Sequence, residues 1–473
     1  MDMRQVGQVI VVVFDGLRPD RITADTMPSL AAFLGGAAWF REARTVFPSY
    51  TRVCTTALAT GAWPRDHGVV GNAFHQPRVV TGRPLDTSRR ADLEALAQAE
   101  GAVITAPDLG SALAASGRRM VAAHCGSSGS AFLVNAGAAE HAGHWTFSIH
   151  GEDHTRTPEA VAASVARHGP LPEPDMPRLA AVARAEAVIR DMGLAEAPDL
   201  ALVWFPEPDT TFHYRRIGSA EAQEALAACD RAFEAIRAAA PADALIVAMS
   251  DHGQISVDRE VDIEAELRAA GFRAGVAPRP GDDFGITRGA SGEIRALRPA
   301  APVAELAEWL MAQDWMGMVF AREALPGTLP VALVAGDHPR APDLHYVCRS
   351  GDGPDEFGFE GLGVFTGGIP VGGGMHGGLH RRELNTLLAI SGPGVVPGAL
   401  DCPAGIVDVA PTILAALGDP APFGQGRVLD EAWGAAAEPA EILTDEASHG
   451  GFRQRLSRLR YRGKTYLSEG GRI

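Results

Sequence analysis

Acidic and histidine side chains follow three stretches of the sequence that have the apolar, β-branched character of buried strands. They are Asp15 after 8–14, Asp209 and His213 after 199–205, and Asp251 and His252 after 244–249. Because parallel strands of an open α/β sheet end at one edge, these side chains should meet there. A single aspartate after a strand is commonly a turn residue, but three such coincidences favour a binding site.

The chemistry of this set indicates divalent metal ions. Three carboxylates packed along one sheet edge would raise each other's pKa values unless cations lay between them. Imidazole and carboxylate ligands without thiolates suit zinc first, and manganese or iron second. We therefore predict two divalent ions, with zinc preferred. At about 4 Å apart, two such ions could hold an attacking oxygen and stabilise a phosphoryl group.

Thr51 is the candidate nucleophile. It follows an aromatic-Pro-Ser loop and precedes the apolar segment 53–59, which predicts that it stands at a helix N-terminus. A threonine there is usually only a cap. The same position also favours anions, and a metal ion could hold the threonine hydroxyl as an alkoxide. Asn72 could bind a phosphoryl oxygen through its amide, whereas Arg52 could either bind substrate or point to solvent.

The elements that must position these groups alternate along the chain. Predicted strands are 8–14, 119–123, 199–205, 244–249 and 386–391, and predicted helices are 27–36, 53–59, 108–117, 177–193, 219–239 and 409–417. This alternation predicts an α/β fold with a mostly parallel central sheet flanked by helices. Residues 258–371 are rich in Pro, Gly and Arg and are predicted to form an inserted cap or lid domain. The catalytic core is then 1–257 and 372–473.

Two further segments have less specific patterns. Residues 124–130, HCGSSGS, follow a predicted strand and could cradle a phosphate with backbone N–H groups, although most Gly/Ser runs are only turns. The arginine-rich tail 453–464 is predicted to be a solvated surface strip. It contains Lys464, the only lysine of the chain, so arginine carries the remaining basic charge.

Composition limits the class of protein. With 473 residues and 46% hydrophobic content, the chain can form a large globular domain with a smaller insertion. Its net charge of −16 argues against binding to nucleic-acid polymers or anionic membranes. The five cysteines contain no C-x-x-C pair, so neither a disulfide framework nor a thiolate zinc site is indicated. The N-terminal apolar run is too short for a signal peptide and no stretch approaches about 20 apolar residues, so we expect a cytoplasmic protein without a membrane segment.

Taken together, these motifs resemble the alkaline phosphatase superfamily, and within it the nucleotide pyrophosphatase/phosphodiesterase (type I phosphodiesterase) branch, with local similarity to phosphonoacetate hydrolase. The motifs are FDG after the first strand, a Thr-started helix ending in TG, P-x-x-HG-x-x-x-N, D-x-x-x-H, SDHG and a late HGG. The resemblance covers most of 8–255 and 372–418. It implies an alkaline-phosphatase-like core and a hydrolase.

The resemblance also implies roles for individual residues. Thr51 is similar to the family nucleophile, which forms a phospho-threonine intermediate by in-line attack, and Asn72 assists at the phosphoryl oxygens. The implied ligands of one zinc are Asp209, His213 and His376, and those of the other are Asp15, Thr51, Asp251 and His252. His380 lies near His376, but the HGG context favours His376. His67, in the HG motif, is expected to be structural.

Several functions are compatible with this site. The leading hypothesis is cleavage of phosphodiester or pyrophosphate bonds in a small-molecule substrate such as a nucleotide. The Pro-x-x-Thr order around Thr51 is closer to phosphonoacetate hydrolase, which makes C–P bond hydrolysis the alternative, although that enzyme binds its substrate carboxylate with lysines and this chain has none there. A mutase of the same superfamily, or a catalytically silent relative that only binds metal or phosphate, would carry the same motifs. A sulfatase is disfavoured, because no C/S-x-P-x-R motif is present.

Overall fold

An eight-stranded sheet forms the centre of the computed structural model, which describes residues 6–419 and 422–473. Across the sheet, the strands lie in the order Gly398–Leu400, Ala38–Phe40, Leu388–Ser391, Leu245–Ser250, Val9–Phe14, Leu200–Phe205, Met120–His124 and Trp145–Ser148. The last five are parallel, and Leu388–Ser391 runs antiparallel to Leu245–Ser250. The predicted α/β fold with a mostly parallel sheet is confirmed.

The central strand Val9–Phe14 shows why the sheet is buried on both faces. Val11 and Val13 belong to the hydrophobic cluster on one face, whereas Ile10 and Val12 belong to the cluster on the other. An unbroken β-branched run is what a parallel strand between two helical layers requires.

Helices pack on both faces of the central sheet, and further helices lie within the inserted region. The α-helices are Pro28–Gly35, Thr51–Thr60, Pro64–His67, Arg90–Glu100, Leu109–Ala115, Ser130–Leu133, Pro158–His168, Leu179–Val188, Asp209–Arg215, Ala220–Ala239, Ile263–Ala269, Val303–Ala312, Arg381–Leu384 and Val409–Ala416. The predicted helix 177–193 is α-helical only over Leu179–Val188 and continues as the π-helical turn Ile189–Gly193.

The region between the two predicted parts of the core contains its own sheet. Its strands lie in the order Ala274–Gly275, Phe284–Ile286, Ser291–Ala296, Leu344–Cys348, Met316–Ala321 and Leu329–Pro330. A four-stranded sheet beside it has the order Ser350–Pro354, Glu360–Phe365, Ile255–Glu260 and Gly374–Met375. That second sheet combines strands from both sides of the predicted boundaries at 258 and 371.

The C-terminal tail forms an antiparallel sheet of the strands Glu441–His449, Phe452–Tyr461 and Lys464–Arg472. Of the predicted surface strip, Arg453, Arg455 and Arg460 are exposed, whereas Arg458, Arg462 and Lys464 are only partly exposed. The alternating Phe452 and Leu456 are buried. This strand alternation was not predicted from the sequence. Two short strand pairs complete the fold, Ala43–Arg44 with Ala404–Gly405 and Ala73–Phe74 with Leu85–Asp86. Within the described ranges, every helix is too short or too polar to cross a lipid bilayer.

Candidate metal centre and active site

The register of the central sheet brings the three strand ends together. Phe14 lies opposite Phe205 on one neighbouring strand and opposite Ser250 on the other. Asp15 and Asp251 therefore leave the sheet side by side, and Asp251 Oδ1 accepts a hydrogen bond from Gly16 N at 3.0 Å. Asp209 joins them, because its backbone N–H donates to the carbonyl oxygen of Asp15 at 3.0 Å.

The first group of candidate ligands is Asp209, His213 and His376. Asp209 and His213 lie four residues apart on the helix Asp209–Arg215, so both side chains point to the same side. Asp209 Oδ1 is 3.3 Å from His213 Nε2 and 3.5 Å from His376 Nε2. The segment after the inserted region thus supplies His376 to a site built on the sheet.

The second group of candidate ligands surrounds His252, whose ring lies beside Thr51 at the N-terminus of the helix Thr51–Thr60. His252 Nε2 is 3.5 Å from Asp15 Oδ1, 3.2 Å from Asp251 Oδ2 and 3.3 Å from Thr51 Oγ1. Asp209 belongs to this group as well, since its carboxylate lies within 4.8 Å of ligand atoms of Asp15 and His252. The two groups therefore meet at Asp209, and the rings of His252 and His376 stack at 3.6 Å.

Hydrogen bonds orient all three imidazoles. Nδ1 of His213 lies 2.6 Å from the carbonyl oxygen of Gly374, and Nδ1 of His376 lies 2.6 Å from that of Ser49. Nδ1 of His252 lies 3.1 Å from the carbonyl oxygen of Gly253. Because a carbonyl oxygen only accepts, Nδ1 is the donor in each of these hydrogen bonds. Nε2 of each ring therefore faces the carboxylates, which is the orientation of metal-binding histidines.

The buried carboxylates of the site favour the binding of a cation. Burial, and then the nearby carboxylates of Asp251 and Asp209, raise the pKa of Asp15 well above its ordinary value. Burial also raises the pKa of Asp251, to about 6, although His252 opposes the shift. For Asp209, burial acts in the same direction but the histidines outweigh it, and the pKa is lowered.

Two carboxylate oxygens without hydrogen-bond partners show whether metal ions fit this site. Asp15 Oδ1 and Asp251 Oδ2 are buried and have no hydrogen-bond partner within the described part of the chain. Both lie within 3.5 Å of His252 Nε2. An uncompensated buried carboxylate is costly, and a divalent ion bound by imidazole and carboxylate would satisfy both oxygens. The residues present therefore fit the predicted metal ions.

Thr51 is the first residue of the helix Thr51–Thr60, and Tyr50 occupies the cap position. Thr51 is 4% exposed and does not cap the helix with its side chain. The backbone N–H of Arg52 donates to Asn72 Oδ1 at 3.1 Å, which holds the Asn72 amide beside the helix start. Nδ2 of Asn72 has no acceptor among the residues that the structure describes, so it is available to an oxygen of a ligand.

The Arg52 side chain is buried and does not point to solvent. Its Nε donates to Thr87 Oγ1 at 2.6 Å, and one terminal nitrogen donates to the carbonyl oxygen of Asn72 at 3.1 Å. Longer bonds of 3.3 and 3.4 Å reach Ser127 Oγ and the carbonyl oxygen of Ser128. Burial lowers the pKa of Arg52 to about 10, although Asp86 opposes the shift. The guanidinium therefore connects the Asn72 loop to the loop 124–130.

Loop 124–130 lies against the metal ligands. A Cβ at Gly126 would lie 2.9 Å from Asp15 Oδ2, so this position accepts only glycine without rearrangement. The hydroxyl of Ser127 and the carbonyl of Ser128 are engaged with Arg52. That this loop cradles a phosphate stays a prediction.

His67 and His380 have partners outside the two ligand groups. His67 Nδ1 accepts a hydrogen bond from the backbone N–H of Val69, and burial lowers its pKa to about 3. His380 Nδ1 accepts from Arg382 N at the start of a helix, and its Nε2 lies 3.0 Å from Asp352. All five cysteines are buried as free thiols.

Two residues at the site, Gln254 and Trp204, were not predicted from the sequence. The Gln254 amide donates to Asp209 Oδ1, and Trp204 Nε1 donates to Asp15 Oδ2 at 3.0 Å. Gln254 directly follows the SDHG motif and Trp204 is the penultimate residue of a strand. Position next to a motif was the only available signal, because nothing local shows which side chain faces the ligands.

The chain was compared with protein families, curated sequences and solved structures. The family model described as type I phosphodiesterase / nucleotide pyrophosphatase matches residues 9–351. No curated protein sequence matches the chain significantly.

Solved structures share the fold. Phosphonoacetate hydrolase from Sinorhizobium meliloti 1021, in complex with phosphonoformate, is 20% identical with a TM-score of 0.65, covering 89% of this chain and 97% of that one. Murine ectonucleotide pyrophosphatase/phosphodiesterase 5 is 16% identical with a TM-score of 0.59, covering 87% and 95%. Its inactive threonine-to-alanine form, in complex with AMP, is 15% identical with the same TM-score of 0.59 and the same coverage of 87% and 95%.

The family match spans well over half of the chain and includes the strand ends that carry Asp15, Asp209 and Asp251. The chain therefore belongs to the type I phosphodiesterase/nucleotide pyrophosphatase family and is a hydrolase.

Proposed function

We propose that the protein is a metal-dependent phosphohydrolase that cleaves phosphodiester or pyrophosphate bonds of small molecules, with Thr51 as the nucleophile. The observation that carries this proposal is the position of Thr51 Oγ1, 3.3 Å from His252 Nε2. The same Nε2 lies within 3.5 Å of two buried carboxylate oxygens that lack hydrogen-bond partners within the described part of the chain. Family membership supports the reaction class. The murine relative in its threonine-to-alanine form is inactive and binds AMP, which supports a threonine nucleophile and a nucleotide-like substrate.

Two zinc ions are the proposed cofactors. Asp209, His213 and His376 would hold one, and Asp15, Thr51, Asp251 and His252 would hold the other. When bound, the ions would supply positive charge that stabilises the deprotonated Thr51 hydroxyl and the phosphoryl oxygens.

The bond-breaking steps involve Thr51, Asn72 and water. Thr51 Oγ1 loses its proton to solvent water and attacks phosphorus in line, so that a Thr51–phosphorus bond forms while the bond to the leaving-group oxygen breaks. The leaving group departs with the electron pair and takes a proton from water. Asn72 Nδ2 donates a hydrogen bond to a non-bridging oxygen on which charge accumulates. Water then attacks the phospho-threonine, releases phosphate or a phosphate monoester, and restores Thr51.

Hydrolysis of a phosphonate C–P bond is the second candidate. The structural likeness to phosphonoacetate hydrolase covers nearly that whole protein, and its complexes hold phosphonoformate and phosphonoacetate. Thr51 would perform the same attack, with a carbon leaving group that takes a proton. Arg52 follows Thr51 in the chain, and we propose that its buried charge acts on an anionic part of the substrate through loop 124–130, to which its guanidinium is bonded.

A substrate panel tests the proposal. Zinc-loaded protein is assayed with bis-p-nitrophenyl phosphate, a nucleotide diester, a phosphate monoester and phosphonoacetate, with and without chelator. We expect chelator-sensitive turnover, fastest on a diester. Fastest turnover of phosphonoacetate would favour the second candidate. Absence of turnover on the whole panel would favour a catalytically silent relative.

The Thr51→Ala variant tests the nucleophile. We expect its turnover to fall by at least about a thousandfold, while the metal content stays near two ions per chain because the aspartates and histidines remain. Thr56→Ala is the matched control, since Thr56 lies in the same helix and its hydroxyl only donates to the backbone of Arg52. If Thr51→Ala retains activity comparable to this control, Thr51 is not the nucleophile.

A further inference from the structure

The segment 289–293 of the inserted region contacts all three loops that carry Thr51, Asn72 and His376. It leads into the strand Ser291–Ala296, which lies inside the six-stranded sheet. Ala290, Ser291 and Glu293 are 2%, 0% and 4% exposed. The contacts are therefore interior contacts of the fold.

The first contact fixes Tyr50, the residue before Thr51. The Tyr50 hydroxyl donates to the carbonyl oxygen of Ser291 at 2.5 Å. Its ring is enclosed by glycines, because a Cβ at Gly289 would lie 2.0 Å from the hydroxyl and a Cβ at Gly377 would lie 2.2 Å from the ring. The ring also packs edge-on against His376 at 5.8 Å.

The second contact fixes the loop that carries His376. Ser291 Oγ donates to the carbonyl oxygen of Gly377 at 2.6 Å. The N–H of Gly377 in turn donates to Ser49 Oγ at 2.9 Å. Ser291 thus binds the loop of Tyr50 through its backbone carbonyl and the loop of His376 through its side-chain hydroxyl.

The third contact reaches the loop that carries Asn72. Glu293 accepts a hydrogen bond from the backbone N–H of His75, three residues after Asn72. His75 Nε2 lies 3.1 Å from the carbonyl oxygen of Ile286 on the neighbouring strand of the same sheet. A Cβ at Gly285 would lie 2.6 Å from the His75 ring, so the ring sits directly on the backbone.

We propose that the segment 289–293 is a positioning element of the active site, and that Ser291 is its main positioning residue. This inference rests on the proposed roles of Thr51, Asn72 and His376. A lid that opens in each catalytic cycle would have to break these three contacts. The inserted region instead keeps the nucleophile, the amide and one metal ligand at fixed separations, which an in-line attack requires.

The test compares Tyr50→Phe, Ser291→Ala and the double variant with the zinc-loaded wild type. The control is Tyr466→Phe, which also removes a tyrosine hydroxyl. The Tyr466 hydroxyl donates to Asp408 Oδ2 at 2.9 Å in another part of the molecule. Each protein is measured for kcat, KM, melting temperature and zinc affinity by chelator competition.

We expect Tyr50→Phe and Ser291→Ala to lower kcat by about tenfold or more with little change in KM, because the loops shift without losing substrate contacts. Ser291→Ala should also weaken binding of one zinc by about tenfold, because the His376 loop loses its support. The double variant should lose less than the product of the two single losses, since both act on one junction. Tyr466→Phe should lower the melting temperature without either effect.

Two results separate the possible failures. If Tyr50→Phe and Ser291→Ala change kcat and zinc affinity no more than Tyr466→Phe does, the positioning role is wrong. If the wild type turns over no substrate, the proposed function fails, and zinc affinity alone then decides the inference. Unchanged zinc affinity in Ser291→Ala would overturn it.

Discussion

At the scale of single residues, hydrogen-bond partners distinguish the two histidines of the segment 376–380. His376 donates from Nδ1 to the backbone of Ser49, which turns Nε2 towards Asp209. His380 uses Nδ1 as an acceptor at a helix start and directs Nε2 to Asp352. The two rings have the same chemistry, but only His376 presents a free lone pair to the carboxylates of the site.

Alanine substitutions of these histidines should therefore differ. We expect His376→Ala to lower zinc affinity at one site by at least about tenfold and to reduce turnover strongly, because a direct ligand is lost. His380→Ala should keep both metal ions, although it removes a helix cap and a hydrogen bond to Asp352. Metal content after dialysis against a weak chelator measures the difference. The reverse order would move the ligand assignment from His376 to His380.

At the scale of elements, the helix Thr51–Thr60 is the support of the candidate nucleophile. All ten of its residues are buried. Three of its threonines donate to carbonyl oxygens four residues earlier, Thr55 to Thr51, Thr56 to Arg52 and Thr60 to Thr56. These bonds satisfy hydroxyl groups that are fully buried. The helix ends at Gly61, whose φ of 59° is left-handed.

Gly61→Ala should destabilise the protein more than Gly101→Ala. Both glycines end helices with a positive φ, of 59° and 87°, so both alanines carry about 1–2 kcal/mol of backbone strain. A Cβ at Gly61 would also lie 3.2 Å from Pro411 and from the carbonyl of Val407, whereas Gly101 has open space. We expect a larger fall in melting temperature for Gly61→Ala, with metal content unchanged. Equal falls would show that contacts around Gly61 relax freely.

At the scale of the whole molecule, the inserted region is joined to the core by buried polar and apolar contacts. Arg340 is 1% exposed and donates to the carbonyl oxygens of Gly68, Ala102 and Val103. One hydrophobic cluster contains Phe47 before the candidate nucleophile, Phe320 of the inserted sheet and Leu456 of the C-terminal sheet. Three distant parts of the chain therefore share one packed interior. This packing agrees with a fixed rather than a mobile insertion.

Glu293 should make this junction pH-dependent. Burial, and to a smaller extent Asp343, raise the pKa of Glu293 to about 8, against the opposing effects of Arg295 and the His75 N–H. Because the fold disfavours the ionised form, the stability contribution is complete below the ordinary glutamate pKa and is lost as the pH rises towards 8. The loss is a few kcal/mol, at about 1.4 kcal/mol for each unit of pKa shift.

Glu293→Gln removes this titration while keeping an acceptor for His75. We therefore expect the melting temperature of the wild type, relative to that of Glu293→Gln, to fall between about pH 5 and pH 8 and then to level off. A thermal unfolding series of both proteins over this range measures the difference. A constant difference across the series would show that Glu293 does not titrate in this range.

The sequence by itself determined the fold class and identified most of the candidate site residues. Buried parallel strands need unbroken apolar runs, and such runs are visible locally; their carboxyl ends must meet at one edge, so Asp15, Asp209 and Asp251 could be grouped without coordinates. The geometry then placed these aspartates near Thr51, His213, His252 and His376. The exact roles of these residues stay predictions of the proposed mechanism.

Only the tertiary structure decided contacts between segments far apart in the chain. The orientation of Arg52 depends on Thr87 and Ser127, the position of Gln254 depends on Asp209, and the role of Ser291 depends on Tyr50 and Gly377. None of these pairs has a periodicity or spacing that local patterns could reveal. Side-chain direction at a strand end or in a loop is set by the packing of the whole fold, which is why the supporting residues of the site became visible only there.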